Sequence, residues 1–385
     1  MDANWEDEAL FFDGEPFFAD LFRAIEKAVS TIEFETYIFT PENLGRQVEA
    51  ALAAAAKRGV KVRLLVDGIG AAGWYEKKSP ELERSGVVVR IYHPVVVSRI
   101  LGKFFSELGF GRKGDRRGPA LAQLNRRDHR KMCLIDGRIA YVGSMNVSDN
   151  HLSSVRGHLA WRDTGVRVMG EPVTYLQVAF DHAWLRSHAA GGKRRWRDLL
   201  HLPEKPRLTS HLVRLNFTQR LRRRTIVDFL KRVKASQGKI WITNAYLAPS
   251  SPVMRALSAA ASRGVDVRLL VPRTSDVFFM PWVATAHYGP LLKSGVRIFE
   301  YLPRFLHAKS AIIDGWAVVG TSNMNRRSLL YDFEVDIVLS RAESVRELEA
   351  QFGRDLETAE EIKVRRGGVA GLLGRFILYW FKRWI

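Results

Sequence analysis

Two short segments of the chain carry residue types that can move a phosphoryl group. His129, Lys131 and Asp136 stand in HRKMCLID, and His307, Lys309 and Asp314 stand in HAKSAIID, so each segment reads His-x-Lys-x4-Asp. Each runs on into Gly-[Ser/Thr]-x-Asn, with Gly143, Ser144 and Asn146 in the first and Gly320, Thr321 and Asn323 in the second. Along an extended chain positions i and i+2 share a face, which puts each His beside its Lys. Asp136 and Asp314 complete the two catalytic motifs, yet their opposite parity suits them better to holding a strand end than to touching a substrate. A lone His on such a strand is usually a packing residue; two identical patterns at equivalent places favour chemistry. One neutral imidazole can attack phosphorus while a second, protonated, donates to the departing alkoxide. The lysines and the Asn146 and Asn323 amides can hold the non-bridging oxygens as charge shifts, with Ser144 and Thr321 behind them. A phosphodiester is the substrate this set suits.

A catalytic imidazole needs an acceptor on its other ring nitrogen to fix the tautomer. Asp163 in WRDTGVRV and Glu334 in DFEVDIVL lie 34 and 27 residues after the two histidines, on the next predicted strands. Clustered carboxylates and His/Cys ligand spacings are not readable, so the expectation is chemistry without a metal or cofactor.

The elements that must position these residues are themselves repeated. ALAAAAKRGVKVRLLV from Ala51 returns as ALSAAASRGVDVRLLV from Ala256, a tandem duplication. Each copy reads as an Ala-rich helix, a Gly cap (Gly59, Gly264) and a buried parallel strand. Strands TIEFETYIF and KIWITNAYL precede these, and further helices and strands follow, so each half is an α/β/α layered sheet. Residues 1–190 form the expected first domain, 191–208 a linker, 209–360 the second domain, and 361–385 a basic amphipathic tail.

Composition narrows the partners. Sixty Lys plus Arg oppose forty-one Asp plus Glu, a formal charge of +19, and 46% of residues are apolar. So much apolar side chain excludes a disordered chain, and the charge calls for a polyanion, either nucleic acid or an acidic lipid surface. The one cysteine, Cys133, excludes an intramolecular disulfide and a multi-Cys zinc site. The N-terminus begins acidic without a basic-then-apolar leader, and an uninterrupted run of about eighteen apolar residues is absent, so neither a signal peptide nor a span is expected.

The duplicated His-x-Lys-x4-Asp with Gly-Ser-x-Asn resembles the signature of the phospholipase D superfamily. FFDGEPFFADLFRAI, RGVKVRLLVDG, DHRKMCLIDGRIAYVGSMN, WRDTGVRVMGEPV, RIFEYLPRFLHAKSAIIDG and TSNMNRRSLLYDFEV look like the bacterial cardiolipin synthases, particularly the shorter B type lacking N-terminal membrane spans. The resemblance implies two tandem phospholipase D-like domains about a pseudo-twofold axis with the active site between them. It also implies His129 as the nucleophile of a phosphatidyl-histidine and His307 as general acid, then base. Two departures stand out: the Asp314–Gly320 hairpin is one residue shorter than Asp136–Gly143, and Asn325 stands where the family usually has Asp.

Lipid is preferred to nucleic acid because of an insertion. Gly86 to His129 is 43 residues where Gly295 to His307 is 12, so the first half carries 31 extra residues before its motif, at about 93–124. On a helix there, Arg99, Lys103 and Glu107 form one stripe and Val97, Ile100, Leu101, Phe104, Phe105 and Leu108 the rest. In the tail, Arg375, Lys382 and Arg383 gather on one side while Leu373, Phe376, Trp380, Phe381 and Trp384 spread over the remainder. The expected partner is an anionic phospholipid membrane, with phosphatidylglycerol as substrate and no nucleic acid, at the cytoplasmic face of the cell membrane. The expected reaction is phosphatidyl transfer, making cardiolipin plus glycerol; the alternatives are a hydrolytic phospholipase D, a metal-independent nuclease or phosphodiesterase, and a basic binding module with a vestigial site.

Overall fold

The computed structural model describes residues 4–94, 126–189 and 210–363. The expected insertion (from residue 95), the 191–208 linker and the tail (from residue 364) therefore lie outside the described residues.

Strands β1 (Asp7–Phe11), β2 (Thr31–Thr36), β3 (Lys61–Asp67), β4 (Val88–Tyr92), β5 (Met132–Ile135), β6 (Ile139–Gly143), β7 (Gly165–Met169) and β8 (His188–Ala189) make one sheet, in the order β1-β7-β6-β5-β2-β3-β4-β8. Strands β9 (Val213–Leu215), β10 (Lys239–Asn244), β11 (Asp266–Pro272), β12 (Arg297–Tyr301), β13 (Lys309–Ile313), β14 (Trp316–Gly320), β15 (Val335–Leu339) and β16 (Ala359–Glu361) make a second, ordered β9-β15-β14-β13-β10-β11-β12-β16 when taken in the same sense. The register repeats as well: Ile32 pairs with Val62, and Ile240 with Val267.

Only β2-β3-β4 and β10-β11-β12 are parallel; the remaining pairings are antiparallel, so both sheets are mixed. Helices α1 (Gly14–Lys27) and α2 (Asn43–Lys57) cover the first sheet. Leu44, Val48, Leu52 and Ala55 form the buried stripe of α2, at the spacing of one helical face. That helix ends at Gly59, whose φ of 93° repeats at Gly264 (φ 92°), a left-handed turn a side chain would strain. Pairs such as β5–β6 and β13–β14 are tight hairpins, which is why the chain before and after them turns to one sheet end.

The halves share a core. Val142, Val166, Leu176 and Phe180 of the first pack in one cluster with Phe333, Val335, Ile337 and Leu348 of the second. Burial of these large side chains stabilises the association by roughly 1.5–3 kcal/mol each in gross transfer terms. Two backbone bridges cross the junction, Asp128 to Phe333 and Arg162 to Leu306.

Candidate active site

Those two bridges place the histidines. The His129 N–H donates to the Phe333 carbonyl at 3.0 Å, and the His307 N–H to the Arg162 carbonyl at 2.8 Å. Each histidine stands just ahead of its strand, and each is stitched to the residue that precedes the other half's carboxylate. His129 Nδ1 consequently lies 3.1 Å from both Glu334 oxygens, while His307 Nδ1 lies 2.8 Å from Asp163 Oδ1. The imidazole–carboxylate pairs are therefore crossed. Reading each carboxylate with the histidine of its own half is wrong, because the residues just ahead of the next strand, Arg162 and Phe333, are bridged to the opposite half. Asp163 and Glu334 also precede β7 and β15 rather than lie in them.

Behind each carboxylate is a second hydrogen-bonded layer. Asp163, fully buried, accepts from Ser144 Oγ at 2.7 Å and faces His151 Nδ1 at 2.6 Å; His151 Nε2 in turn accepts the Asn146 N–H at 3.1 Å. Glu334 accepts from Thr321 Oγ1 and Ser328 Oγ, and Ser328 Oγ accepts the Asn323 N–H at 2.9 Å. Ser328 thus does in the second half what His151 does in the first. Sequence reasoning missed both, although each stands five residues after the motif Asn. His151, Asp163 and His307 bring ligand-type atoms within 4.8 Å of one another, but the Asp163 contacts to both Nδ1 atoms and the Asn146 bond account for this as a hydrogen-bonded relay.

Both histidines line one cleft of about 510 Å³, together with Asn146, Asn323, Tyr37, Tyr246, Trp161 and Arg327. With Nδ1 engaged, Nε2 is the nitrogen each imidazole has left for chemistry. Lys131 Nζ donates to the His129 carbonyl at 2.6 Å and lies 5.3 Å from the Tyr37 ring; Lys309 Nζ donates to the His307 carbonyl and lies 5.8 Å from the Tyr246 ring. The tyrosines were also missed, though TIEFETYIF and KIWITNAYL both carry one near the strand end. Asn146 Oδ1 accepts from the Ile38 N–H at 3.1 Å, which leaves its amide NH2 for the cleft. Asn323 Oδ1 is buried and has no hydrogen-bond partner among the described residues. Asn325 accepts from the Ser328 N–H at 2.8 Å and caps the short helix Arg326–Leu330, a task open to Asn or Asp alike.

Asp136 and Asp314 are not brought to the cleft. Asp136 accepts from the N–H groups of Val29, Ser30 and Thr31 at 3.0, 2.7 and 2.9 Å, and Asp314 from those of Gln237, Gly238 and Lys239 at 3.2, 2.9 and 2.9 Å. Each occupies a hairpin turn with positive φ, 50° and 49°, and ties the start of β2 or β10 to the motif strand. Counting them with the catalytic residues is corrected on this ground. The residue between His129 and Lys131 points the other way, as strand parity requires: Arg130 is fully buried against Asp128 and Glu35.

The electrostatics differ between the two pairs. Burial, with Lys131 and Lys309 nearby, holds His129 well below the usual imidazole range and His307 down to about 3, so both rest neutral. Burial also lowers Lys131 to about 8 and pushes Lys309 down. Burial would raise Asp163, but His151 and His307 outweigh it and keep the carboxyl ionised. Glu334 lacks a second imidazole, and burial lifts it to about 7 against the pull of Lys131, Ser328 and Thr321.

A family model described as cardiolipin synthase, phospholipase D-like domain, matches residues 21–184 and 229–356. The chain belongs to this family. Among curated proteins it is 31% identical over 352 residues to a probable cardiolipin synthase of Bacillus subtilis, covering 91% of this chain and 66% of that protein. It is 34% identical over 346 residues to cardiolipin synthase B of Shigella flexneri, covering 88% of this chain and 78% of that one. The chain thus spans about two thirds of the length of the Bacillus relative. The solved phosphatidylserine synthase of Haemophilus influenzae shares the fold, with a TM-score of 0.71, 12% identity, and coverage of 100% of this chain and 94% of that one. The polyphosphate kinase of Porphyromonas gingivalis does so more loosely, with a TM-score of 0.57, 14% identity, and coverage of 98% and 56%. Among the described residues no helix is long and apolar enough to cross a membrane.

Proposed function

We propose that the protein is a cardiolipin synthase that joins two phosphatidylglycerols, with release of glycerol, at the cytoplasmic face of an anionic membrane. The observation that carries this is the pair of cross-braced imidazoles in a single cleft, supported by relatives bearing that name. His129 Nε2 attacks phosphorus, the bond from phosphorus to the glycerol oxygen breaks, and protonated His307 supplies the leaving alkoxide with its proton. The anionic phosphodiester in the cleft raises His307 enough to carry that proton. Neutral His307 then takes the proton from the terminal hydroxyl of a second phosphatidylglycerol, whose oxygen displaces His129 from phosphorus. Lys131, Lys309 and the Asn146 amide hold the non-bridging oxygens throughout. The Asp163 and Glu334 carboxylates keep each Nδ1 protonated and each Nε2 toward phosphorus.

The test is product analysis after incubating purified protein with phosphatidylglycerol vesicles, with and without EDTA. Cardiolipin and glycerol in equal amounts in both samples are expected. Phosphatidic acid as main product would establish the hydrolytic phospholipase D instead, and faster cleavage of DNA than of lipid would establish a nuclease.

A further inference from the structure

The cleft holds the braced histidines and asparagines beside apolar Trp161, Val277, Phe279 and Met280, and further out apolar side chains stand uncovered. Phe278 is 75% exposed, Leu159 56% and Leu330 40%. Each lies within two residues of a cleft-lining side chain: Phe278 between Val277 and Phe279, Leu159 before Trp161, and Leu330 between Ser328 and Asp332. Contacts tie the first two to one rim. Arg304 donates to the Ala160 carbonyl at 3.3 Å, Phe305 packs on Trp161 at 4.8 Å and on Tyr246 at 6.2 Å, and Tyr246 Oη donates to Asp276 at 2.6 Å. Phe278 packs edge-on to Phe279 and Trp282, at 5.4 and 5.9 Å, so an aromatic cluster is held at the lip with one ring left outside. Exposed Arg156 and Arg326 flank the same segments.

We propose that this rim of Phe278, Leu159 and Leu330 seats the cleft mouth on the surface of a phospholipid bilayer. The inference deepens the lipid reading above and rests on it. Aromatic and aliphatic tips bordered by arginine match the layered chemistry of a bilayer interface, apolar below and phosphate above. The position chooses the partner. A protein seated on Phe278 and Leu159 would cap a cleft that begins one or two residues inside them, whereas a fluid bilayer on the same side chains would deliver its lipids into it. Sequence patterning points to 93–124 and 361–385 for membrane contact; Phe278, Leu159 and Leu330 lie outside both segments of the sequence.

The test uses the full chain. Cys133 is buried and burial pushes its thiol well above the usual range, so a thiol-reactive fluorophore will label an introduced cysteine selectively. With vesicles of phosphatidylglycerol and phosphatidylcholine, dye on Phe278→Cys should shift to the blue. Dye on Val29→Cys, 81% exposed ahead of β2 at the far end of the strand, should not. The triple variant Phe278→Ser, Leu159→Ser, Leu330→Ser should lower vesicle partitioning about tenfold or more at about 0.3 M salt, where surface charge is screened. Turnover of a soluble short-chain phosphodiester should be unchanged. An unshifted dye at 278, or parental partitioning by the triple variant, overturns the rim. If the parent makes no cardiolipin yet the dye shifts, the proposed activity fails and the rim stands.

Discussion

Replacing Glu334 by Gln should weaken catalysis and strengthen the fold in the same molecule. Glu334 is 2% exposed, and its carboxyl is raised from 4.5 to about 7, burial being the largest cause. A carboxyl raised in the folded state adds nothing unfavourable below its unfolded pKa, and its desolvation cost develops as pH climbs from 4.5 through 7. At 1.36 kcal/mol per unit, the cost above pH 7 is about 3 kcal/mol. Glutamine keeps the shape, one of the Thr321 and Ser328 hydroxyls still donates to its carbonyl oxygen and the other can turn to accept from its NH2, so the variant should be more stable than the parent at pH 8 by up to about 3 kcal/mol and nearly equal at pH 4.5. Catalysis should move the other way. Loss of a charged acceptor on His129 Nδ1 removes about 1.5–3 kcal/mol, or about 10- to 150-fold in rate. Denaturant melts at pH 4.5 and 8, paired with initial rates on phosphatidylglycerol, read both. A variant less stable than the parent at pH 8, or one with undiminished turnover, would refute the reasoning.

Asp163→Asn should be more severe than Glu334→Gln, because one amide must face both His151 and His307 where two oxygens now accept; turnover should fall by more than about 100-fold with the circular dichroism spectrum retained. Asp136→Asn should do the reverse, costing about 1–3 kcal/mol of stability in urea titrations while leaving turnover per folded molecule within a factor of about two, since Asn tolerates the positive φ and the site is remote. On the acid side, His307 sits at about 3 against 6.5, so its stabilising contribution is complete above pH 6.5 and is lost as pH falls below that; the depressed Asp163 acts in the same direction once pH falls below 3.8. Melting temperature should therefore fall more between pH 6.5 and pH 4 in the parent than in His307→Asn, the opposing gain from the raised Glu334 being common to both, and parallel profiles would contradict neutral burial of His307.

The duplication was readable because burial repeats residue by residue: Ala51–Val66 and Ala256–Val271 are nearly the same string, and the register of the parallel strands follows from it. Parity also separated His129 and Lys131 from Asp136, which the hairpin turn then explained. What patterning could not supply was the crossing of the carboxylates. Asp163 and Glu334 stand out as carboxylates within Val-rich strand patterns, but their partners are set by two isolated backbone bridges between halves, Asp128 to Phe333 and Arg162 to Leu306. Such bridges leave no periodic trace. His151 and Ser328 escaped for a related reason: they are different residue types doing one job, so comparing the two halves for identical residues passes over them. Phe278 escaped because an exposed aromatic beside Phe279 and Met280 looks in sequence like part of the core.

The most direct test of a shared-cleft, histidine-based displacement is to quench the enzyme with phosphatidylglycerol labelled in its diacylglycerol part in mildly alkaline detergent, where a phosphorus–nitrogen bond survives, and to map the peptides without acid. The label should be recovered on His129, and His307→Ala should still trap some, since attack can precede the unassisted departure of glycerol. Label on His307 would reverse the two roles. A lipid-converting enzyme from which no histidine-bound label can be trapped, in the parent or in His307→Ala, would contradict the covalent displacement itself.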